Sequence, residues 1–471
     1  MDKYLGGRHL IRSPGYPDGT MASIQNLPED LLFVIFHAIQ RQEARSIQSL
    51  SLCRSLFRCL TCLSLVCKSW RESILQCSVL WTCIPVDNTR SDSLEGVLTM
   101  LQRSRGAELT LSTHLSTDPR AAERTDSLVN AILDHHSRVR SMHLTADPRP
   151  FMESNMPSGS GPTVNRAATA NPSVLNPSRH LSSLFKGLRI LSLSLPSSAI
   201  AIDISGLLHI IKTSPELEFV HLTSIAFIKE DRPLPCVVHA SRLQRLRLHD
   251  CNSAVILSYI AVPKNATISI TMSKRRIRGQ LGASPLGEHI LHALPYSLSN
   301  VRALEDAKQL VLEEDEEKGT FGLGLSPFRS RSSSMVIRSH PPSIRTFLYR
   351  SLSAIANHPY FGTVESFTFS HSSRVPVCWS TVLGRFDLLL ELNTLSHHGV
   401  DIVHALTRAT SNGFPRCSSL RRIRLFHRQP GTKYFDLDSH LLAAFHQFRT
   451  ETRCPSLRIT VHYSNGIKDE L

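Results

Sequence analysis

A short phrase with apolar residues at its first, fourth and sixth positions recurs along the chain. It stands as Val139, Met142 and Leu144, as Leu188, Leu191 and Leu193, as Leu217, Val220 and Leu222, and as Leu243, Leu246 and Leu248. It returns as Val364, Phe367 and Phe369 and as Leu420, Ile423 and Leu425. The fourth and sixth positions alternate with polar residues, which is the period of a strand with one buried face. The second phrase lies 29 residues before the third, and the third 26 before the fourth.

The segments between the phrases keep a common order. "SGLLHIIKTSPELEFVHL" predicts a short helix, a stop at Pro215 and a strand. "SAVILSYIAVPKNATISI" repeats that order and puts Ile268 and Ile270 on the next strand. Leucine-rich repeats have a period of about 20–29 residues, each a strand plus a helix or turn. Cys251, three residues after Leu248, fills the small polar slot of such a repeat, and the other phrases lack that residue. The expectation is a degenerate repeat stack; the competing reading is a set of ordinary amphipathic strands in an unrelated α/β domain. Arg245, Arg247 and His249 alternate with buried positions and are candidates for binding a target. Their basic character favours an acidic or phosphorylated partner, against the plainer reading of a solvated strand face.

Two stretches break the pattern. Residues 147–180 hold six prolines within little periodicity and are expected to be a disordered insertion. Residues 272–345 are expected to be a linker. They carry the basic run Lys274-Arg275-Arg276-Ile277-Arg278, a helical stretch over 291–312, the acidic run Glu313-Glu314-Asp315-Glu316-Glu317 and "SPFRSRSSS". Both charge runs are expected to be solvated loop.

The N-terminal pattern differs. Behind a polar leader, residues 1–22, comes "NLPEDLLFVIF" at 26–36. Pro28 suits a first helical turn, where its missing N–H is harmless. Glu29 and Asp30 then face the positive end of the helix dipole. Leu31, Leu32, Ile35, Phe36 and Ile39 share one broad apolar face. Further on, Leu63, Val66, Cys67, Trp70 and Ile74 share another, and Trp81 closes the unit before the strand-like "TCIPV". About sixty residues have little core and cannot bury every apolar side chain present. The surplus is an interaction surface.

This unit resembles the F-box. Leu27-Pro28-Glu29-Asp30-Leu31, the pair Ile35-Phe36, "LSLVCKSWR" at 63–71 and "VLW" at 79–81 follow the pattern of that family in order. The segment "QRQEARSIQSLSLCRSLFRC" between its two helical parts is longer than usual. The remainder is more weakly similar to the divergent leucine-rich region of fungal F-box proteins. The resemblance implies docking on a Skp-type adaptor, and through it on a cullin scaffold of an SCF ubiquitin ligase. Leu27, Pro28, Leu31, Leu32, Ile35, Phe36, Val66, Trp70 and Trp81 are the adaptor-facing candidates, some also forming the unit's own core. The expected class is α+β and multi-domain: a small all-α F-box at 23–86, then an irregular α/β leucine-rich-repeat solenoid. The expected segments of the solenoid are a helical segment and first repeat at 87–146, repeats at 181–271 and a C-terminal part at 346–471.

Composition narrows the functions. The net charge of +14 is compatible with an acidic partner. The basic residues are scattered with few aromatics among them, so nucleic acid is not the expected ligand. No apolar run approaches the roughly 18–20 residues of a membrane span. Eleven cysteines without a secretory leader imply reduced thiols. Cys59-x-x-Cys62 is half a zinc site with no second half nearby, so no metal is expected. The chain has no Gly-rich phosphate loop, Gly-x-Ser-x-Gly elbow or His-Glu-x-x-His. No catalytic residue and no cofactor are therefore assigned. The adjacent pairs His135-His136 and His397-His398 would point apart on a regular element and are expected in loops. The final Lys468-Asp469-Glu470-Leu471 matches an endoplasmic-reticulum retention signal, which needs an entry signal that the leader does not supply. The tail is expected to be silent and the protein cytoplasmic or nuclear. Alternatives are an F-box-like scaffold outside any ligase and a reticulum-resident protein.

Overall fold

The computed structural model describes residues 31, 34, 35, 38, 50–89, 93–116, 119–147, 187–195, 201–202, 204–227, 237–273, 289–295, 297–315, 318–327, 334–341, 343–371, 377–411, 419–426, 435–452, 457–462 and 468–470. Its centre is one fifteen-stranded mixed sheet. Seven strands come first: β1 (Cys83–Asp87), β2 (Leu109–Ser116), β3 (Val139–Asp147), β4 (Ile190–Ser194), β5 (Phe219–Thr223), β6 (Arg245–His249) and β7 (Thr267–Met272). Each pairs in parallel with the next. Then come β8 (Ala307–Asp315), β9 (Thr320–Pro327) and β10 (Met335–Ser339), which enter in reverse order, β10 beside β7. The parallel series resumes from β8 through β11 (Ser366–Ser370), β12 (Glu391–Leu395), β13 (Arg422–Phe426) and β14 (Arg458–His462). The short β15 (Lys468–Glu470) closes it antiparallel to β14.

Helices lie between many of the parallel neighbours, since parallel pairing requires a crossover connection. They are α1 (Leu50–Ser64), α2 (Lys68–Gln76), α3 (Ser93–Arg103), α4 (Pro119–Leu133), α5 (Ile204–Thr213), α6 (Ser253–Tyr259), α7 (Ile344–Asn357), α8 (Trp379–Leu383), α9 (Gly399–Ser411) and α10 (Phe435–Thr452). The chain is thus a mixed α/β protein. Among the described residues no helix is long and apolar enough to cross a membrane.

The recurring phrase explains the stacking. Its fourth and sixth residues lie on the strand and its first just before it. Leu188, Leu191 and Leu193, Leu217, Val220 and Leu222, and Leu243, Leu246 and Leu248 are all at most 3% exposed. They form one apolar cluster with the inner faces of the helices, Leu207, Leu208 and Ile211 of α5 among them. A backbone ladder fixes the register ahead of each strand. The amide of Glu218 donates to the Arg189 carbonyl at 2.9 Å, that of Gln244 to Glu218 at 2.8 Å, and that of Thr267 to Gln244 at 2.8 Å. The same ladder returns beyond the reversed hairpins, from Glu365 to Lys308 at 2.8 Å and from Leu390 to Glu365 at 2.7 Å. Ser224 and Asp250 leave β5 and β6 through the same left-handed turn, with φ of 55° and 51°.

Several expectations change. Residues 272–345 are no linker throughout, because they supply the three strands β8 to β10 in the middle of the sheet. Helix over 291–312 is replaced by 3-10 turns at Ile290–Ala293 and Arg302–Leu304 and by β8. The reason is visible in "AKQLVLEED", where Leu310 and Leu312 alternate and are fully buried. Glu313, Glu314 and Asp315 end that strand instead of forming a loop. The segments 1–22 and 148–180 and the basic run 274–278 lie outside the described residues. The N-terminal helices are not set apart either. Leu60, Trp70, Ile74, Leu80 and Trp81 belong to the cluster that continues into β1 and α3.

The start of α9 is close-packed. A Cβ at Gly399 would lie 2.9 Å from Cδ1 of both Leu425 and Leu441, which are themselves buried. Alanine normally stabilises a helix relative to glycine by about 1 kcal/mol. Overpacking outweighs it at about 1–3 kcal/mol. Gly399→Ala is therefore expected to lower stability in urea melts, and a variant as stable as the parent would refute this packing.

Candidate functional site

Two surfaces are built from the features singled out by the sequence. The first is the N-terminal helical unit. Leu27, Pro28, Leu32 and Phe36 lie outside the described residues. Leu31, Ile35 and Val66 are 49%, 39% and 43% exposed, so their apolar surface faces water. Trp70 and Trp81 do the opposite, at 4% exposure each. The Trp81 indole N–H donates to the Ile74 carbonyl at 2.8 Å. Its ring meets Phe57 edge-on at 6.4 Å and carries the Arg103 guanidinium at 4.5 Å. An outward role for the two tryptophans is corrected by this packing: they join the helical unit to α3 and the sheet. Other apolar residues take the outward positions, with Leu65, Leu75 and Val79 exposed beside Val66.

The second surface is the sheet face opposite the helices. Period-two alternation sends every residue between the buried leucines to this face. Register then lines them up in rows across neighbouring strands. One row runs His143, Ser192, His221, Arg247 and Ser269, and the next runs Thr145, Ser194, Thr223, His249 and Thr271. Arg245, Arg247 and His249 are thereby brought beside His221 and Phe219, more than twenty residues away in sequence. A groove of about 290 Å³ opens here, lined by His221, Arg247 and His249 and by the hydroxyls of Thr223, Ser269 and Thr271.

The arginines of this face are held but not neutralised. The guanidinium carbons of Arg245 and Arg247 lie 5.3 and 5.8 Å from the centre of the Phe219 ring. Cation–π contacts of this length are worth about 0.5–1 kcal/mol at exposed sites. Among the described residues neither arginine has a carboxylate within ion-pair distance. None of the outward positions on β4 to β7 carries a carboxylate. At the rim, Asp250 accepts from the Ser273 amide at 2.5 Å and hydroxyl at 2.7 Å, and it lies 3.4 Å from His249. Burial, with Arg247 and His249 adding to it, holds His221 below the ordinary histidine range. Burial and then His221 push His143 down to about 4. Sequence reasoning reached Arg245, Arg247 and His249 but missed His221 and His143. The alternation of His221 between Val220 and Leu222 was the signal.

Histidines also sit at the opposite face. His397 and His398, expected in a loop, end a short 3-10 turn between β12 and α9, and their rings lie 4.0 Å apart. His398 is buried against Phe369 and Trp379. Glu314 and His371 make a buried contact of 3.6 Å nearby. His135 and His136 flank another 3-10 turn, with His136 exposed. Among the described residues no group of three or more His, Cys, Asp or Glu is placed to hold a metal ion. Cys59, Cys62 and Cys67 are not joined in disulfides.

Fold and surfaces together define a mixed α/β protein with an apolar helical end and a basic, hydroxyl-rich sheet face. No protein-family model matches the sequence, and no curated protein matches it.

Burial pushes His398 down to about 3, with His397 and His371 contributing. The unfolded chain takes up protons on His143 and His398 near pH 6.5, whereas the folded chain resists them. Their stabilisation is complete above about pH 6.5 and is lost as pH falls toward 4 and 3. One such proton gives a slope of up to about 1.4 kcal/mol per pH unit. Melting temperature is expected to fall from pH 7 to pH 5, and His398→Phe is expected to flatten that fall. An unchanged slope in the variant would show that His398 does not set it.

Proposed function

We propose that the chain is the non-catalytic substrate receptor of an SCF-type ubiquitin ligase. In this reading the N-terminal helices are an F-box that docks on a Skp-type adaptor and through it on a cullin scaffold. The sheet with its crossovers is an irregular leucine-rich-repeat solenoid that holds a protein target. Ligation chemistry belongs to other subunits, and the receptor works in the cytoplasm or nucleus.

One observation carries the reading. Of the thirteen exposed large apolar side chains among the described residues, eight fall between residues 31 and 79. They are Leu31, Val34, Ile35, Phe57, Leu65, Val66, Leu75 and Val79. Scattered exposed leucines are ordinary, but a concentration in one small unit marks an interaction surface. It coincides with the segment whose motifs resemble the F-box. The advance of one strand per crossover, in constant register, supports the repeat part. The tail also fits: Lys468, Asp469 and Glu470 pair with His462, Val461 and Thr460, so this stretch is engaged in the sheet.

The test is co-purification of the full-length chain with a Skp-type adaptor. A standard interface buries about 1,600 Å², with a few apolar anchors dominating its energy. Replacing Leu27 or Ile35 by Ala is expected to weaken adaptor binding by about 1–3 kcal/mol each. The pair together is expected to reduce affinity by well over tenfold, since about 1.4 kcal/mol is one decade. Trp81→Ala is unsuitable as a probe, because it empties the core. A folded chain that captures no adaptor at micromolar concentration would overturn the ligase assignment and leave a scaffold outside any ligase.

A further inference from the structure

The arginines of two strands of the sheet, β6 and β13, are held differently. On β13, Arg422 and Arg424 stand 2.8 and 3.6 Å from Glu391 of β12, whose single carboxylate offsets part of their charge. On β6, Arg245 and Arg247 have an aromatic ring where the other pair has a carboxylate. The ring holds the guanidinium groups over the sheet without satisfying their charge or their hydrogen-bond donors. The adjoining groove supplies three hydroxyls and two imidazoles, and its volume is near the lower bound of about 300 Å³ for small-molecule pockets. That volume suits one or two side chains rather than a nucleotide-sized cofactor. Arg245 and Arg247 are two residues apart on one strand, a spacing of about 7 Å. An extended chain laid along β6 presents its own alternate side chains at the same spacing.

We infer that this face recognises an extended segment of the target protein with acidic side chains at alternate positions, one for Arg245 and one for Arg247 in the groove. The inference rests on the receptor reading above and names the chemistry of its target. Carboxylate and phosphomonoester share that chemistry. Guanidinium groups bind either through paired N–H donors, and such charge-assisted bonds are about twice as strong as neutral ones. An anion in the groove also alters His221. The groups facing His221 are Arg245, Arg247 and His249 on β6 with Asp250 at its end, His143 on β3, and the uncharged Ser192 and Ser194 on β4. The Thr223 hydroxyl lies 3.2 Å from its Nε2. Burial, with the positive neighbours adding to it, lowers the pKa of the ring. A bound anion offsets them and favours the imidazolium, so binding takes up a proton and strengthens as pH falls.

The experiment uses the full-length chain and four fluorescent probes, read by anisotropy at fixed salt. They are a ten-residue peptide with Glu at alternate positions and Ser between, its Gln counterpart, its phosphoserine counterpart, and a ten-nucleotide single-stranded RNA. The Glu or phosphoserine peptide is expected to bind and the Gln peptide to fail. The tighter of the two acidic peptides assigns carboxylate or phosphate. Arg245→Gln with Arg247→Gln, both on exposed side chains, is expected to weaken binding at least tenfold at unchanged melting temperature. Affinity for the Glu peptide is expected to rise from pH 7.5 to pH 6, and His221→Gln to remove that rise while leaving binding at pH 7.5. Equal binding of the Gln peptide, full binding by the double variant, or RNA binding tighter than both acidic peptides would overturn the inference. The adaptor is absent from this assay. A chain that captures adaptor but no acidic peptide refutes the groove alone, and the converse result refutes the ligase reading alone.

Discussion

Two apolar side chains on most strands must be kept from water, and that requirement governs most of the sheet. Each such side chain is worth about 1.5–3 kcal/mol when fully buried. A five-residue strand cannot shield its own pair. It needs a helix behind it and neighbours whose pairs stand level with its own. The register supplies two unbroken rows. One passes from Leu246 through Ile268, Met335, Leu325, Leu310, Phe367, Leu392 and Ile423 to Ile459. The other passes from Leu248 through Ile270, Ile337, Leu323, Leu312, Phe369, Thr394 and Leu425 to Val461. The reversed hairpins β8 to β10 interrupt the parallel order but not the rows. Their insertion is tolerated because a strand running backwards can still present its apolar residues to the same side.

The same rows explain what could be read in advance. A strand announces itself when both slots are apolar and its flanks are polar, as at Leu191 and Leu193 or Ile423 and Leu425. At β12 the slots hold Leu392 and Thr394, with Leu389 ahead of them, and a hydroxyl in the second slot hides the phrase. At β8 the apolar pair Leu310 and Leu312 is present, but the sequence reads as a helical stretch over 291–312 and the charges that follow as a loop. Charge on the last residues of a strand does not prevent pairing when the side chain reaches the sheet's end. Glu314 shows this, meeting His371 in a buried contact.

The candidate sites were legible to different degrees for a related reason. Sequence fixes which residues alternate outward, so Arg245, Arg247 and His249 could be picked from one strand alone. It does not fix which strand lies beside which, so the partnership with Phe219 and His221 needed the register. For the N-terminal unit the limit was direction. Helical spacing groups Val66 and Trp70 on one face, but the helix breaks at residues 65–67, so Val66 lies exposed in the turn between α1 and α2 while Trp70 of α2 is buried. Large aromatics offer the most surface to bury, and the adjoining β1 and α3 gave the tryptophans somewhere to go.

The placement of Glu391 gives the sheet its electrical character. Exposed ion pairs contribute only about 0–1 kcal/mol to stability. The contacts of Glu391 with Arg422 and Arg424 are therefore a poor account of why the C-terminal strands stay folded. Their larger effect is on the field above the sheet. They offset part of the positive charge on β13, while the four strands β4 to β7 carry no outward carboxylate and leave the charge of β6 standing. Fields from exposed charges are screened over about 8 Å at physiological salt, less than two strand spacings. The positive potential of β6 is accordingly local to the groove, where an approaching acidic chain meets it. The fold does not require that asymmetry, since the buried rows are indifferent to what the outward positions hold. Outward residues are free to differ where inward ones are not, so the open face is where this architecture can carry recognition.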